Sequence, residues 1–237
     1  MREPKHDKER QDFQLERFTF FTDGVCAISI TLLVIEIKVP DLSAPSDLLL
    51  WQSLSSMSLR FLGFIISFGI VGHYWLVHHR IFGYVVKYTT KLLWLNLAYL
   101  FTVVLLPFSA GFLGEYSAYS NLKLPYGVYT FNMCLTGFMN VWLWIYVSNP
   151  KRKLLSRVIS KSRINLGIYR SLVIPVIFII SFLVSLGFPF ISKLILLLIP
   201  IILHWGMKGL EKRAEVEEVP SNKIIANNKI IVPDTSV

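Results

Sequence analysis

Six apolar stretches, separated by short segments that hold most of the charge, leave this chain few folds to choose from. Each is roughly 18 residues or longer, the length an α-helix needs to cross a hydrocarbon core about 30 Å thick. They run over about Phe18–Val39, Leu59–His79, Leu92–Leu113, Tyr126–Val147, Ile168–Gly187 and Pro189–Met207. The last two are divided by Gly187-Phe188-Pro189, a helix stop followed by a restart. Merged, they would form a span too long for an ordinary bilayer. Soluble domains carry about 25% charged residues, whereas this chain carries 16% and is 54% hydrophobic. The expected fold class is therefore all-α, an integral membrane protein with six transmembrane helices.

Charge placement gives the orientation. Of 24 Lys and Arg, 20 fall in four places: the N-terminal tail, the loops after spans two and four, and the tail after span six. The opposite side holds only Lys38, Arg60, Lys123 and Lys193. By the positive-inside rule both termini are cytosolic. That rule also accounts for the net charge of +9, so the basicity gives no reason to expect nucleic acid. The expected organisation is a cytosolic N-terminal tail over 1–17, a transmembrane domain over 18–209 and a cytosolic C-terminal tail over 210–237. Residues 1–17 are dense in both signs of charge and precede no small-residue cleavage motif, so the first apolar stretch reads as a retained span.

The first span carries two acids, Asp23 and Glu36, with 12 uncharged residues between them. Charge at such depth is costly against lipid, so this helix is expected to be wrapped by protein or to line water. Glu36, beside Lys38 and Pro40, reads as an interfacial, solvated carboxylate; Asp23 reads as buried. At about 100° per residue, Gly24, Ile28, Thr31, Leu32 and Ile35 form one stripe, with Asp23 on the opposite side. Periodicity alone leaves two readings of that stripe, pore lining or ordinary packing.

Other chemistry is poorly supported. His78 and His79 are adjacent and so face different sides of a helix, a poor metal pair. No His-Glu-x-x-His, Gly-x-Ser-x-Gly or paired intramembrane aspartates occur, so no enzyme is expected. Cys26 and Cys134 read as buried free thiols, and the six tryptophans as interface belts and packing.

The run Arg17-Phe18-Thr19-Phe20-Phe21-Thr22-Asp23, followed by Gly24-Val25-Cys26-Ala27-Ile28-Ser29-Ile30-Thr31-Leu32-Leu33-Val34-Ile35, resembles the first-helix signature of the transmembrane protein 175 family. These are potassium channels of endosomes and lysosomes with prokaryotic relatives. The family pattern has Ser where this chain has Thr22, which keeps the hydroxyl. Gly72-His73-Tyr74-Trp75 through His78-His79-Arg80-Ile81-Phe82 resembles the end of the family's second helix. Trp94-Leu95-Asn96-Leu97 with Leu105-Leu106-Pro107-Phe108 resembles its third.

The resemblance implies a homotetramer in a cell membrane, with the first helix of each subunit lining a central pore. It places Ile28 at a hydrophobic constriction, Thr31 or Leu32 in the next layer and Ile35 outermost. It also implies that Arg17, Phe21, Thr22 and Asp23 hold the cytosolic end of the first helix, with His79, Trp94 and Asn96 as partners. Potassium is the implied permeant, and no cofactor or metal is expected. A proton-coupled transporter or proton leak through Asp23, Glu36 or a histidine is the alternative. Repeats and broken helices, usual in transporters, are lacking.

Overall fold

The computed structural model describes residues 4–117, 119, 121–212 and 214. Among these the chain is helical, its only β feature an isolated antiparallel bridge between Val85 and Leu155. The helices are α1 (Pro4–Ile35), α2 (Asp47–Ser56), α3 (Ser58–Phe82), α4 (Thr90–Glu115), α5 (Leu124–Ser148), α6 (Lys161–Ser185), α7 (Pro189–Leu196) and α8 (Leu198–Ile201). A π-helical turn, Ile202–Gly206, follows α8. Beyond Lys212 the expected C-terminal tail lies outside the described residues apart from Ala214.

Local chemistry explains several of these ends. Ser46, Thr89 and Ser160 cap α2, α4 and α6, each accepting from an amide in the first turn. Pro189 starts α7 just past the Gly187 stop, where a missing N–H costs nothing. α1 begins well before the apolar stretch, so the expected polar tail is helical from Pro4.

Five segments are long and apolar enough to cross a membrane: Glu9–Ile35, Arg60–Phe82, Thr90–Glu115, Lys161–Ser185 and Pro189–Lys212. The sixth expected span falls in α5, which is long enough at 25 residues but less apolar. Its position explains the difference. α5 packs most extensively on α4 and α6, and it buries Thr130, Asn132, Thr136 and Asn140. A helix shielded by its neighbours can carry polar side chains that lipid would penalise. Asn132 Nδ2 donates to Ser109 Oγ on α4 at 3.0 Å, and Tyr74 Oη donates to the Met133 carbonyl at 3.0 Å. At Gly137 a Cβ would stand 2.3 Å from Pro175 Cγ, so glycine is what lets α5 and α6 approach this closely.

Two ends of the bundle can be told apart. At one, Val86 N–H donates to the Leu154 carbonyl at 2.9 Å and Ser156 N–H to the Tyr84 carbonyl at 3.0 Å. These bonds tie the basic loop after α3 to the basic loop after α5. At the other, Glu115 meets Lys38 at 3.3 Å and Arg60 at 3.8 Å.

Candidate functional site

α1 has two unlike faces. Thr22, Cys26, Ser29 and Leu33 recur at intervals of four, three and four residues and are 0–2% exposed, packed against α3 and α4. Thr22 and Ser29 hydroxyls, donated to the carbonyls of Phe18 and Val25, cost little to bury there. The stripe on the other side stands open: Ile28 is 59% exposed and Ile35 69%, with Thr31 and Leu32 exposed between them and Gly24 exposed one turn before. Thr31 Oγ1 donates to the Ile28 carbonyl at 2.8 Å, which leaves its lone pairs facing outward.

A directed hydrogen-bond chain holds the buried face. Thr22 Oγ1, already donating to Phe18, accepts from Asn96 Nδ2 at 2.8 Å. The amide orientation that this requires presents Asn96 Oδ1 to His78 Nε2, 2.7 Å away. His78 therefore carries its proton on Nε2. Its ring is stacked between Phe82 at 4.3 Å and Tyr99 at 5.0 Å. Beside this chain Asp23, half-buried, accepts from Trp75 Nε1 at 2.8 Å.

The structure places Thr22, Asp23 and Asn96 in one neighbourhood, but the aromatic partners differ from those expected: a tryptophan of α3 stands in for that of α4, and one histidine for its neighbour. Asp23 bonds to Trp75, whereas Trp94 is 68% exposed. The histidine of the chain is His78; His79 is exposed, its ring 5.6 Å from that of Trp75. Helical period carries the signal that separates them. Buried Leu92, Leu95, Asn96, Tyr99 and Val103 form one face of α4, which Trp94 falls off. Val71, Tyr74, His78 and Ile81 do the same on α3, leaving His79 outside. Arg17 and Phe21 stand apart from the network: the Arg17 guanidinium lies over the Phe13 ring at 5.8 Å, and Phe21 is 53% exposed. Glu36 is exposed. No group of three or more His, Cys, Asp or Glu among the described residues is placed to hold a metal ion.

Residues 17–107 match the family model described as endosomal/lysosomal potassium channel TMEM175. A potassium channel of Chryseobacterium sp. is 40% identical over 112 residues, 47% of this chain and 55% of that one. A potassium channel of Chamaesiphon minutus is 33% identical over 138 residues, 58% of this chain and 68% of its own length. The human endosomal/lysosomal proton channel TMEM175 is 38% identical over 87 residues, 34% of this chain and 17% of its own. The chain spans about half the length of the first two curated relatives it matches, 55% and 48%. The crystal structure of a lysosomal potassium-selective channel TMEM175 homolog from Chamaesiphon minutus superposes with a TM-score of 0.68 at 25% identity, covering 82% of this chain and 98% of that one. With the buried network of α1, α3 and α4 lying wholly inside the matched segment, and a relative aligned over two thirds of its length, the chain belongs to the TMEM175 family.

Proposed function

We propose that this protein is a potassium-permeable cation channel, a homotetramer with six spans per chain and both termini cytosolic, in the plasma or inner membrane. The observation that carries the reading is the open stripe of α1, Ile28, Thr31, Leu32 and Ile35, on a helix whose other face is fixed by hydrogen bonds. Four such stripes around an axis would form the pore lining, with Ile28 at the constriction. α5 serves as the fourth span, its polar side chains held between α4 and α6.

The chemistry of such a pore follows from its side chains. No Thr-Val-Gly-Tyr-Gly run occurs in the sequence, so no ring of carbonyls replaces the ion's water shell. A ring of isoleucines offers no ligand and blocks ions by dewetting when narrow. Slightly widened, it passes an ion that sheds part of its hydration, which potassium does more readily than sodium. Thr31 supplies the stripe's side-chain oxygen. Selectivity for potassium is accordingly modest. Asp23 and its network set where α1 stands and coordinate no ion.

Proteoliposomes under potassium or sodium gradients, read with a potential-sensitive dye, test this directly. Potassium is expected to set the potential in the native protein, and Ile28→Asn to raise conductance and lower selectivity. Folded protein that passed neither ion would overturn the reading. Because the human relative is named a proton channel, a trapped pH dye belongs in the same experiment. Flux of protons alone would favour a proton pathway instead.

A further inference from the structure

At the end of the bundle away from the basic loops, α1, α3, α4, α5, α7 and the end of α6 line an open-sided cavity of about 220 Å³. Its wall is largely apolar, with Leu33, Phe64, Ile66, Leu113 and Leu196 among its members. Into this wall are set Arg60, Lys123 and Lys193, opposed by the single carboxylate Glu36. The grouping is unexpected. Only four Lys or Arg lie outside the basic clusters of the sequence, and three of them line this one cavity. The fourth, Lys38, shares the Glu115 carboxylate with Arg60. Side chains separated by more than 60 positions along the chain thus converge on a net positive, otherwise apolar space.

We infer that this cavity binds an anionic phospholipid from the leaflet opposite the basic loops, one acyl chain against the apolar wall and the phosphate held by Arg60, Lys123 and Lys193. The chemistry selects this class. An apolar wall takes hydrocarbon, and a guanidinium with neighbouring ammonium groups takes phosphate oxygens through charge-assisted hydrogen bonds. A zwitterionic lipid offers the same chain, but its choline or ethanolamine meets the cations unfavourably. Basic pockets between transmembrane helices bind acidic headgroups by this logic. The cations also keep local anchors that position them: Lys123 Nζ donates to the Ser185 carbonyl at 2.8 Å, and Arg60 lies 3.8 Å from Glu115. Gly63 and Gly114 border the space, and a Cβ at either would meet nothing within 4 Å.

The test is native mass spectrometry of the full chain reconstituted in bilayers of phosphatidylglycerol or phosphatidylcholine. The native protein is expected to retain phosphatidylglycerol preferentially. Lys193→Gln, at an exposed residue, is expected to weaken that retention roughly fivefold, the effect of removing one cation near an acidic headgroup. Gly63→Leu fills the space and is expected to abolish retention with the melting temperature unchanged. Equal retention of the two lipids, or retention unaltered by both variants, overturns the inference. So does a Gly63→Leu protein that keeps its lipid but changes oligomeric state, which would make the cavity a contact between copies. None of these readouts depends on ion flux, so this inference and the channel reading fail separately.

Discussion

The two faces of α1 are built from similar residues yet meet opposite fates. Leu33 is 2% exposed and Ile35, two positions on, is 69% exposed. Ser29 is buried and Thr31 open, although both hydroxyls donate to a carbonyl in the preceding turn. Hydropathy does not separate them. What separates them is whether α3 and α4 present a complementary surface, and on one side of α1 these helices do. The buried face belongs to the fold of a single chain. The open face is left for whatever lies beyond it, a pore in the reading proposed above.

If that division is real, truncating each face has a different consequence. Leu33→Ala is expected to cost about 2–5 kcal/mol through lost contacts and a residual cavity, whereas Ile35→Ala costs the chain less than about 0.5 kcal/mol. Thermal unfolding in detergent compares them, and equal losses would erase the distinction between the faces. Asn96→Leu preserves volume but removes both bonds of a fully buried amide, leaving the His78 Nε2–H without its acceptor. The expected cost is about 1–3 kcal/mol, visible in the same melt. An unchanged melting temperature would mean that the network positions nothing. Thr31→Ala touches function rather than stability. Its melt should match that of the native protein, while the permeability ratio read from reversal potentials falls roughly threefold, equivalent to about 0.7 kcal/mol. A ratio that stayed constant would remove the threonine oxygen from the account of selectivity.

The helical architecture was legible in the chain because lipid imposes a simple rule on it, long apolar runs with charge at their ends. Five of the six expected spans coincide with segments able to cross a membrane. α5 is the instructive exception. Its Asn132, Thr136 and Asn140 lower its hydropathy, and two of them find partners inside the bundle: Asn132 Nδ2 donates to Ser109 and Thr136 Oγ1 to the Asn132 carbonyl. The site was legible in part. Asp23 was identifiable as a polar anchor from its depth, and Thr22 and Asn96 as its companions from a family signature. Their aromatic neighbours were not, since Trp75 of α3 and Trp94 of α4, or the adjacent His78 and His79, offer the same donors, and only packing decides which of them faces α1.

From composition and order alone follow the membrane, the helices and the grouping of the charge between them, while the interest of α1 came from its two acids and a family signature. Those properties depend on local length, hydropathy and charge, which every residue carries with it. Tertiary structure decided which face of α1 is closed, which tautomer His78 adopts, that Asn132 of α5 meets Ser109 of α4, and that Arg60, Lys123 and Lys193 converge on one cavity. Each of these depends on which residues distant in the chain come within a few ångströms of one another, and packing settles that after the helices have formed.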